Sequence, residues 1–447
     1  MPCVESERSF FLFQTVFRMK VHPTSAPLVS VLAALALAAG CSDASPGQED
    51  ASAADVSDDA PQTDADAADV SVDGEGPDVS VDAADNSLSA DAVDASVSAD
   101  AEDANLDVGA GTPVNSGEPD IDLETVSGHQ VVELTYVVPG LEEERTLDVR
   151  MWYATDDEEG ETTEFTLGIF TDEFAWQDAN ILVPRRDELM PLVVHSHGGR
   201  GFSGQISTVA RQFVRNGWLV VAPSHPGHTL LDTTEPGYSF PAVRAFDVMA
   251  AIDFVENLPE DHPLSGRVDT SRVLAMGHSY GGQNAWLLGG LPLDLDGIRE
   301  RCGDGCTPGD IAAFEAFSPD PRVVAGVSLE NLIDSRLVLD ESFADMPAPM
   351  LHISGTEGND ATGLFGRAAQ ANLTWISLIG GCHESPTGTL PCPTLDLQES
   401  LPTTATYAVA FGARHILGSS DPAVMSILDG SVEVSTSAVL MRSPGAP

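Results

Sequence analysis

The sequence predicts an α/β fold with a mostly parallel sheet and helices on both faces. From residue 191 onwards, short apolar runs of strand length alternate with runs that have helical spacing, as in chains that build a parallel sheet. In addition, a serine flanked by glycines, Ser279, lies between a run of strand type and a run that can form a helix. Together these observations favour a single α/β domain with a functional turn at a strand end.

The predicted elements follow one another in a regular order. Residues 131–136 and 145–153 alternate apolar and polar side chains, so we predict that they are the first strands and pair antiparallel. Later strands are predicted at residues 191–195, 218–222, 269–276, 323–329, 350–354 and, as the last strand, 375–379. Helices are predicted at residues 209–216, 242–257, 283–288 and 404–417, the last of which closes the domain. Residues 291–320 break the alternation and are interpreted as an insertion above the sheet, near the mouth of the site.

The N-terminal residues 1–41 have the pattern of an export signal. Lys20 supplies a positive charge, and the apolar stretch at residues 28–39 is shorter than the roughly 20 residues that a membrane-spanning helix needs. The small residues before Cys41 resemble the lipobox of bacterial lipoproteins, which implies lipidation of Cys41 and an outer-membrane anchor. An ordinary signal, cleaved to release a periplasmic or cell-surface protein, is the alternative. Met19 is the expected true start, because the preceding residues add nothing that a signal requires.

Residues 42–121 are predicted to be a disordered acidic linker. They repeat Asp, Ala, Ser and Val and contain no lysine, arginine or aromatic residue, so they cannot bury enough apolar surface to fold. Much of the net charge of −50 comes from this segment and says little about the substrate. The folded domain is therefore predicted at residues 122–440. Because Lys20 is the only lysine, a basic nucleic-acid-binding surface is not expected.

Six cysteines occur in the chain, and four of them form two close pairs. In an oxidising compartment these pairs are expected to be the disulfides Cys302–Cys306 and Cys382–Cys392. A zinc site built from the same four residues is the alternative interpretation. No phosphate-cradling loop or haem motif occurs, so we expect neither a cofactor nor a metal.

Ser279 is the candidate nucleophile, because its surroundings suit a sharp turn between a strand and a helix. Such a turn needs small residues two positions on either side of the serine, and Gly277 and Gly281 occupy these positions. Gly282 would let the following helix pack closely on the sheet. The turn would lift the hydroxyl above the sheet edge, at the positive end of the helix.

Four segments resemble the α/β-hydrolase fold and, within it, the branch of dienelactone-hydrolase-like esterases and platelet-activating-factor acetylhydrolases. These segments are residues 147–153, 191–199, 277–282 and 379–383. The resemblance covers nearly all of residues 125–430. It implies cleavage of small-molecule or lipid carboxylic esters through an acyl-enzyme on Ser279.

The same resemblance implies the other catalytic residues. His383 follows a strand and a Gly-Gly turn, in the order serine, acid, histidine that is typical of the fold. The acid is expected to be Asp360, after the penultimate strand, with Glu330, one strand earlier, as the alternative. The oxyanion hole is expected to use the backbone N–H groups of Tyr280 and Gly199.

Two other functions remain possible from the sequence. One is a catalytically inactive binding or adhesion lipoprotein on a hydrolase scaffold, and the other is a polyester or peptide hydrolase of the same fold. The serine, the histidine and the turn at residues 196–199 argue against the inactive protein, and labelling of Ser279 by a fluorophosphonate would distinguish the two.

Overall fold

The computed structural model describes residues 117–185, 187–234, 237–359 and 361–444. All of these residues belong to one compact unit. The predicted signal, Cys41 and nearly all of the predicted linker lie outside the described residues. Within the part of the chain that is described, no helix combines the length and the apolar character needed to cross a bilayer.

The described strands form one sheet. They are β1 (Ser127–Val138), β2 (Glu143–Tyr153), β3 (Glu161–Phe165), β4 (Phe170–Gln177), β5 (Met190–Ser196), β6 (Leu219–Pro223), β7 (Val268–His278), β8 (Val323–Leu329), β9 (Met350–Gly355), β10 (Leu373–Leu378) and β11 (Ala438–Arg442). The helices are α1 (Ser207–Arg215), α2 (Phe240–Glu256), α3 (Tyr280–Leu288), α4 (Leu295–Cys302), α5 (Pro308–Ala316), α6 (Thr362–Arg367), α7 (Leu397–His415) and α8 (Pro422–Asp429).

The strand order is β11-β10-β9-β8-β7-β5-β6-β2-β1-β4-β3. The central strands β6, β5, β7, β8, β9 and β10 are parallel, whereas β2 joins β6 antiparallel and β11 joins β10 antiparallel. The predicted fold class, a mostly parallel sheet with helices on both faces, is confirmed. The predicted antiparallel pairing of the first two strands is also confirmed.

Three strands were not expected from the sequence. β3 and β4 extend the sheet beyond β1, and β11 follows the strand that was predicted to be the last. α7 begins at Leu397 rather than at the predicted residue 404, and a further helix, α8, follows it. Edge strands such as β3 and β11 are short and partly exposed, so they lack the continuous apolar run that identifies a central strand.

The central strands bury both of their faces. Leu192 and Val194 of β5 contribute to the apolar cluster that includes α2 and α3, while Val193 contributes to the cluster that includes α1, α7 and α8. Successive side chains of a strand point to opposite faces, so a fully apolar run such as β5 fits only between two helical layers. This packing fixes the carboxyl ends of the parallel strands as one edge, from which the candidate site is built.

The segment just before β1 is attached to α1. The side chain of Asn216 accepts a hydrogen bond from the Asp120 N–H at 3.1 Å and donates one to the Asp120 carbonyl at 2.9 Å. Gln212 makes the same pair of bonds with the backbone of Asp122, both at 2.9 Å. Ile121 also packs against the core, so the described residues just before β1 contact the folded domain.

The segment at 291–320 contains α4 and α5 and contacts the start of α2. The Asp310 carboxylate accepts hydrogen bonds from the Ser239 N–H at 2.9 Å and from the Ser239 hydroxyl at 2.8 Å. The same carboxylate completes a capping box with Thr307 at the start of α5. The segment therefore supports the loop between β6 and α2, which reaches the candidate site through His228.

Candidate active site

Ser279 lies on the sharp turn between β7 and α3. Its backbone has φ of 52° and ψ of −122°, a conformation that costs about 1–3 kcal/mol for a residue other than glycine. The turn is held by two hydrogen bonds: the Ser279 N–H donates to the Leu329 carbonyl at 2.7 Å, and the Asn331 side chain donates to the Ser279 carbonyl at 2.8 Å. Surrounding structure thus imposes the strained conformation.

The glycines around Ser279 are required by close approaches. A Cβ atom on Gly277 would collide with the backbone of Gly281, and one on Gly281 would collide with the backbone of Ser196. A Cβ atom on Gly282 would lie 2.6 Å from the Asn331 Cβ. The helix can therefore approach the sheet only with glycine at these positions, as the sequence indicates.

His383 follows β10 and the Gly380-Gly381 turn, and its side chain is 38% exposed. Its carbonyl accepts a hydrogen bond from Nε2 of His278, the residue before Ser279, at 2.9 Å. The two imidazole rings lie 4.8 Å apart between centroids. The structure thus brings the loop of His383 against the turn that carries Ser279.

Glu330 lies directly after β8, next to the loop of His383. Its Oε2 atom is 3.7 Å from His383 Nδ1, within ion-pair range but longer than a hydrogen bond. The carboxylate accepts hydrogen bonds from the backbone N–H groups of Gly355 and Asn359, and the side chain is fully buried. Glu330 also has a positive φ of 50°. Asp360, the acid preferred from the sequence, lies outside the described residues.

The pKa values of His383 and Glu330 reflect their proximity. Burial alone would lower the pKa of His383, but the adjacent Glu330 and Glu384 raise it above its usual value. Burial raises the pKa of Glu330, and the contacts with His383, Asn359 and Gly355 oppose this effect without cancelling it. A histidine whose cation is favoured by a buried carboxyl group is suited to accept a proton from a hydroxyl.

The turn at residues 196–199, which is expected to supply an oxyanion donor, faces Ser279. A Cβ atom on Gly198 would lie 3.3 Å from the Ser279 Cβ, and one on Gly199 would lie 3.7 Å from the Tyr280 Cβ. The ring of His228 packs edge-on against the ring of Tyr280, with centroids 5.0 Å apart. Gly199 and Tyr280, the two predicted donors, therefore lie on facing segments.

A network of buried polar side chains binds the backbone and side chains of the turn at residues 196–199. Arg244, which is fully buried in α2, donates to the carbonyl of His197 and to the Ser196 hydroxyl, and its guanidinium lies 5.0 Å from the centre of the Tyr280 ring. Its NH1 atom is 3.0 Å from His228 Nδ1. Arg244 was not among the residues selected from the sequence, although a charged residue inside an apolar helix is a signal of a buried polar site.

Part of this network has the composition of a catalytic triad. The Ser196 hydroxyl is 2.9 Å from His225 Nε2, and His225 Nδ1 is 2.8 Å from the Asp247 carboxylate. However, these three side chains are at most 1% exposed, and Asp247 is also bound by Tyr136 and Arg145. Because substrate has no access to Ser196, we interpret this group as structural.

His278, His383 and Glu384 could also be considered as metal ligands, since their ligand atoms lie within 4.8 Å of one another. Both ring nitrogens of His278 already have hydrogen-bond partners, namely Gln205 and the His383 carbonyl. The arrangement is therefore accounted for by hydrogen bonds among protein groups.

The cysteine pairs lie at disulfide distance. The Cα atoms are 5.5 Å apart in Cys302–Cys306 and 5.6 Å apart in Cys382–Cys392, both within the usual range. The second pair closes the loop that begins with His383 and Glu384. It therefore constrains the candidate base.

We expect Cys392→Ser to lower both thermal stability and kcat. Opening a loop of this length removes about 2–3 kcal/mol of stabilisation on the loop-entropy model. A loosened His383 would also lose its geometry relative to Ser279. Thermal unfolding and ester hydrolysis measure the two effects. The matched control is Cys302→Ser, which should lower stability but leave kcat on a small ester unchanged; equal kcat losses in both variants would contradict this role of Cys382–Cys392.

Comparison with known proteins agrees with the geometry. Residues 192–436 match the model of a family described as the alpha/beta hydrolase family. No curated protein matches this chain significantly. Among solved structures, a ferulic acid esterase from Streptomyces cinnamoneus matches with a TM-score of 0.50 and 17% sequence identity, over 73% of this chain and 99% of the esterase chain. At this identity the structural match supports the fold.

Proposed function

Since this chain belongs to the α/β hydrolase family, we propose that it is a serine hydrolase that cleaves carboxylic esters through an acyl-enzyme on Ser279. The observation that carries the proposal is the convergence of three groups at one sheet edge. These are the strained serine between β7 and α3, the histidine after β10, and the buried glutamate 3.7 Å from that histidine. Each group has the type that acyl transfer needs, and each follows a strand of the parallel part of the sheet.

In the proposed mechanism, the Ser279 hydroxyl attacks the carbonyl carbon of the ester, and His383 Nε2 accepts its proton. The developing oxyanion is bound by the N–H groups of Tyr280 and Gly199. His383 then returns the proton to the leaving alkoxide, which departs as the alcohol. Water repeats the sequence on the acyl-enzyme and releases the acid. Glu330, 3.7 Å from Nδ1, orients His383 through its charge and stabilises its cation, and the Asn359 amide nitrogen lies 3.3 Å from the same Nδ1 atom.

The substrate is proposed to contain an aromatic or other flat group. A cleft of about 350 Å³ borders the site at Gln205 and continues to Thr387–Thr389 in the loop after His383. Phe165, Phe170, Phe174 and Phe202 line it, and the rings of Phe170 and Phe202 stack at 4.6 Å. The ferulic acid esterase, a structural match, is named for an aromatic acid.

We further propose that the protein is exported and anchored through Cys41. Two cysteine pairs at disulfide distance support an oxidising compartment, where such bonds persist. Metabolic labelling with a palmitate analogue tests the anchor, with Cys41→Ala as the control. Equal labelling of both proteins would contradict lipidation of Cys41.

The function is tested by hydrolysis and by labelling. The protein should hydrolyse p-nitrophenyl esters of short acyl chains, and a fluorophosphonate should label Ser279, as identified by peptide mapping. Ethyl cinnamate and ethyl butyrate then compare an aromatic with an aliphatic acid. Phe170→Ala should raise KM for ethyl cinnamate more than for ethyl butyrate. A wild-type protein that neither turns over esters nor reacts with the probe would refute the proposal and favour the inactive binding protein.

The rate is expected to depend on pH through His383. Only the neutral imidazole can accept the serine proton, and Glu330 and Glu384 favour the protonated form by raising the pKa of His383 above its usual 6.5. The value of kcat/KM should therefore increase as pH rises through a pKa above 6.5. Glu384→Gln should shift this limb to lower pH, since it removes one of the raising charges. An unshifted limb would show that another group controls it.

A further inference from the structure

A chain of hydrogen bonds connects the turn at residues 196–199, called the oxyanion turn below, with the loop of His383, called the base loop. The Gly198 N–H donates to Gln205 Oε1 at 3.0 Å, and Gln205 Nε2 lies 2.8 Å from His278 Nδ1. His278 Nε2 in turn lies 2.9 Å from the His383 carbonyl. Gln205 and His278 are almost fully buried, with exposures of 7% and 1%.

The direction of every bond in this chain follows from its first donor. A backbone N–H can only donate, so the Gln205 atom that faces Gly198 is the carbonyl oxygen. The amide NH₂ then faces His278 and must donate to Nδ1, which therefore carries no proton. The remaining proton of the neutral imidazole lies on Nε2 and is donated to the His383 carbonyl. Burial lowers the pKa of His278 to about 4; the negative charge of Glu384 opposes this effect, and the adjacent His383 adds to it. The neutral form of His278 therefore persists at neutral pH.

The chain joins three segments that are distant in sequence. Gln205 precedes α1, His278 ends β7, and His383 follows β10. Arg244 donates to the carbonyl of the His197–Gly198 peptide, while Gln205 accepts from the N–H of the same peptide. This peptide is therefore held from both sides.

We propose that Gln205 and His278 are positioning residues. They fix the turn at residues 196–199 and the loop of His383 at the distance and orientation that Ser279 needs. This inference rests on the proposed function, because it assigns roles relative to Ser279 and His383. Neither residue needs to contact the ester group, although Gln205 also lines the cleft proposed for an aromatic group. Each acts through the backbone of a neighbour: Gln205 through Gly198 and His278 through His383.

Glu384 adds a branch to the chain at Gln205. Its Oε2 atom accepts from Gln205 Nε2 at 3.3 Å and from the Thr387 hydroxyl at 3.0 Å. The Gln205 amide thus has acceptors on the base loop and on His278. A side chain at position 205 without a donor would release both contacts.

The test is a double-mutant cycle with Gln205→Leu and His278→Leu. Each single variant should lower kcat about 10–100-fold, because a displacement of about 1 Å reduces catalysis by that order, while KM for ethyl butyrate, which has no aromatic group, changes less than about twofold. The rate of fluorophosphonate labelling of Ser279 should fall with kcat. The double variant should lose little more than the worse single variant, since either substitution breaks the same chain.

The matched control is Gln212→Met on α1. Gln212 is at least as buried as Gln205, and its amide also makes bonds at both ends, but those bonds go to backbone atoms of Asp122 and Thr208 rather than to the site. Its kcat should remain within about twofold of the wild type even where thermal stability falls. This comparison separates positioning from a general loss of buried amide contacts.

Multiplicative losses in the double variant, or an unchanged kcat in both single variants, would overturn the inference. If Gln205→Leu does not fold, Gln205→Met is used in its place, because methionine has an unbranched side chain of similar length. Failure of the proposed function is distinguishable, because it would abolish labelling and turnover of the wild-type protein itself.

Discussion

Ser279→Ala is expected to lower kcat by about 10³-fold or more while leaving the fold intact. Alanine keeps the small side chain and accepts the same positive φ about as well as serine, so thermal unfolding should change little. Hydrolysis of a p-nitrophenyl ester measures kcat, and mapping of the fluorophosphonate adduct identifies the labelled serine. His383→Ala should cause a loss of similar size, because the two residues act as a unit.

Ser196→Ala serves as a control for the site of labelling. Ser196 has its own histidine and carboxylate but is 1% exposed, so it should carry no fluorophosphonate adduct. An adduct on Ser196, or retention of more than about a tenth of the wild-type rate by Ser279→Ala, would contradict the assignment of the nucleophile.

Glu330→Gln is expected to lower kcat by about 10³–10⁴-fold, whereas Asp360→Asn should lower it only slightly. The reason is the distance of 3.7 Å between Glu330 Oε2 and His383 Nδ1. A glutamine amide would neither stabilise the histidine cation nor accept both backbone N–H groups that now bind the carboxylate. Parallel kinetics on the two variants decide between the loops.

Thermal unfolding is needed for both variants, because an unpaired buried donor costs about 1–3 kcal/mol of stability. If Glu330→Gln unfolds early, its kcat is measured below its own transition. The opposite result, a large loss in Asp360→Asn and a small one in Glu330→Gln, would support Asp360, the acid preferred from the sequence.

The sequence was informative about residues whose role depends on local pattern. The strand and helix periodicity predicted the fold class, and the spacing of Gly277, Ser279 and Gly281 predicted the turn that the structure contains. His383 was selected by its place after a strand and a Gly-Gly turn. In these cases the relevant physics acts within a few residues of the chain.

Residues that act across the fold could not be identified in this way. The choice between Glu330 and Asp360 depends on how far a side chain reaches from β8 to the loop after β10, and the sequence contains no measure of that distance. Gln205 contacts His278, 73 residues away, through an amide that no motif marks. Arg244 and Asp247 could have been predicted from the sequence, because charged residues inside an apolar helix indicate a buried polar network.

β11 affects how firmly the loop of His383 is held. β11 pairs with β10, and the N–H of Ile379, just past β10, donates to the Ser437 carbonyl. β11 is an edge strand, whereas β7, which leads to Ser279, lies inside the sheet. Local opening of the edge would therefore loosen the approach to His383 while the Ser279 turn stays folded, and amide hydrogen exchange should be faster at Ile379 than at Ser279.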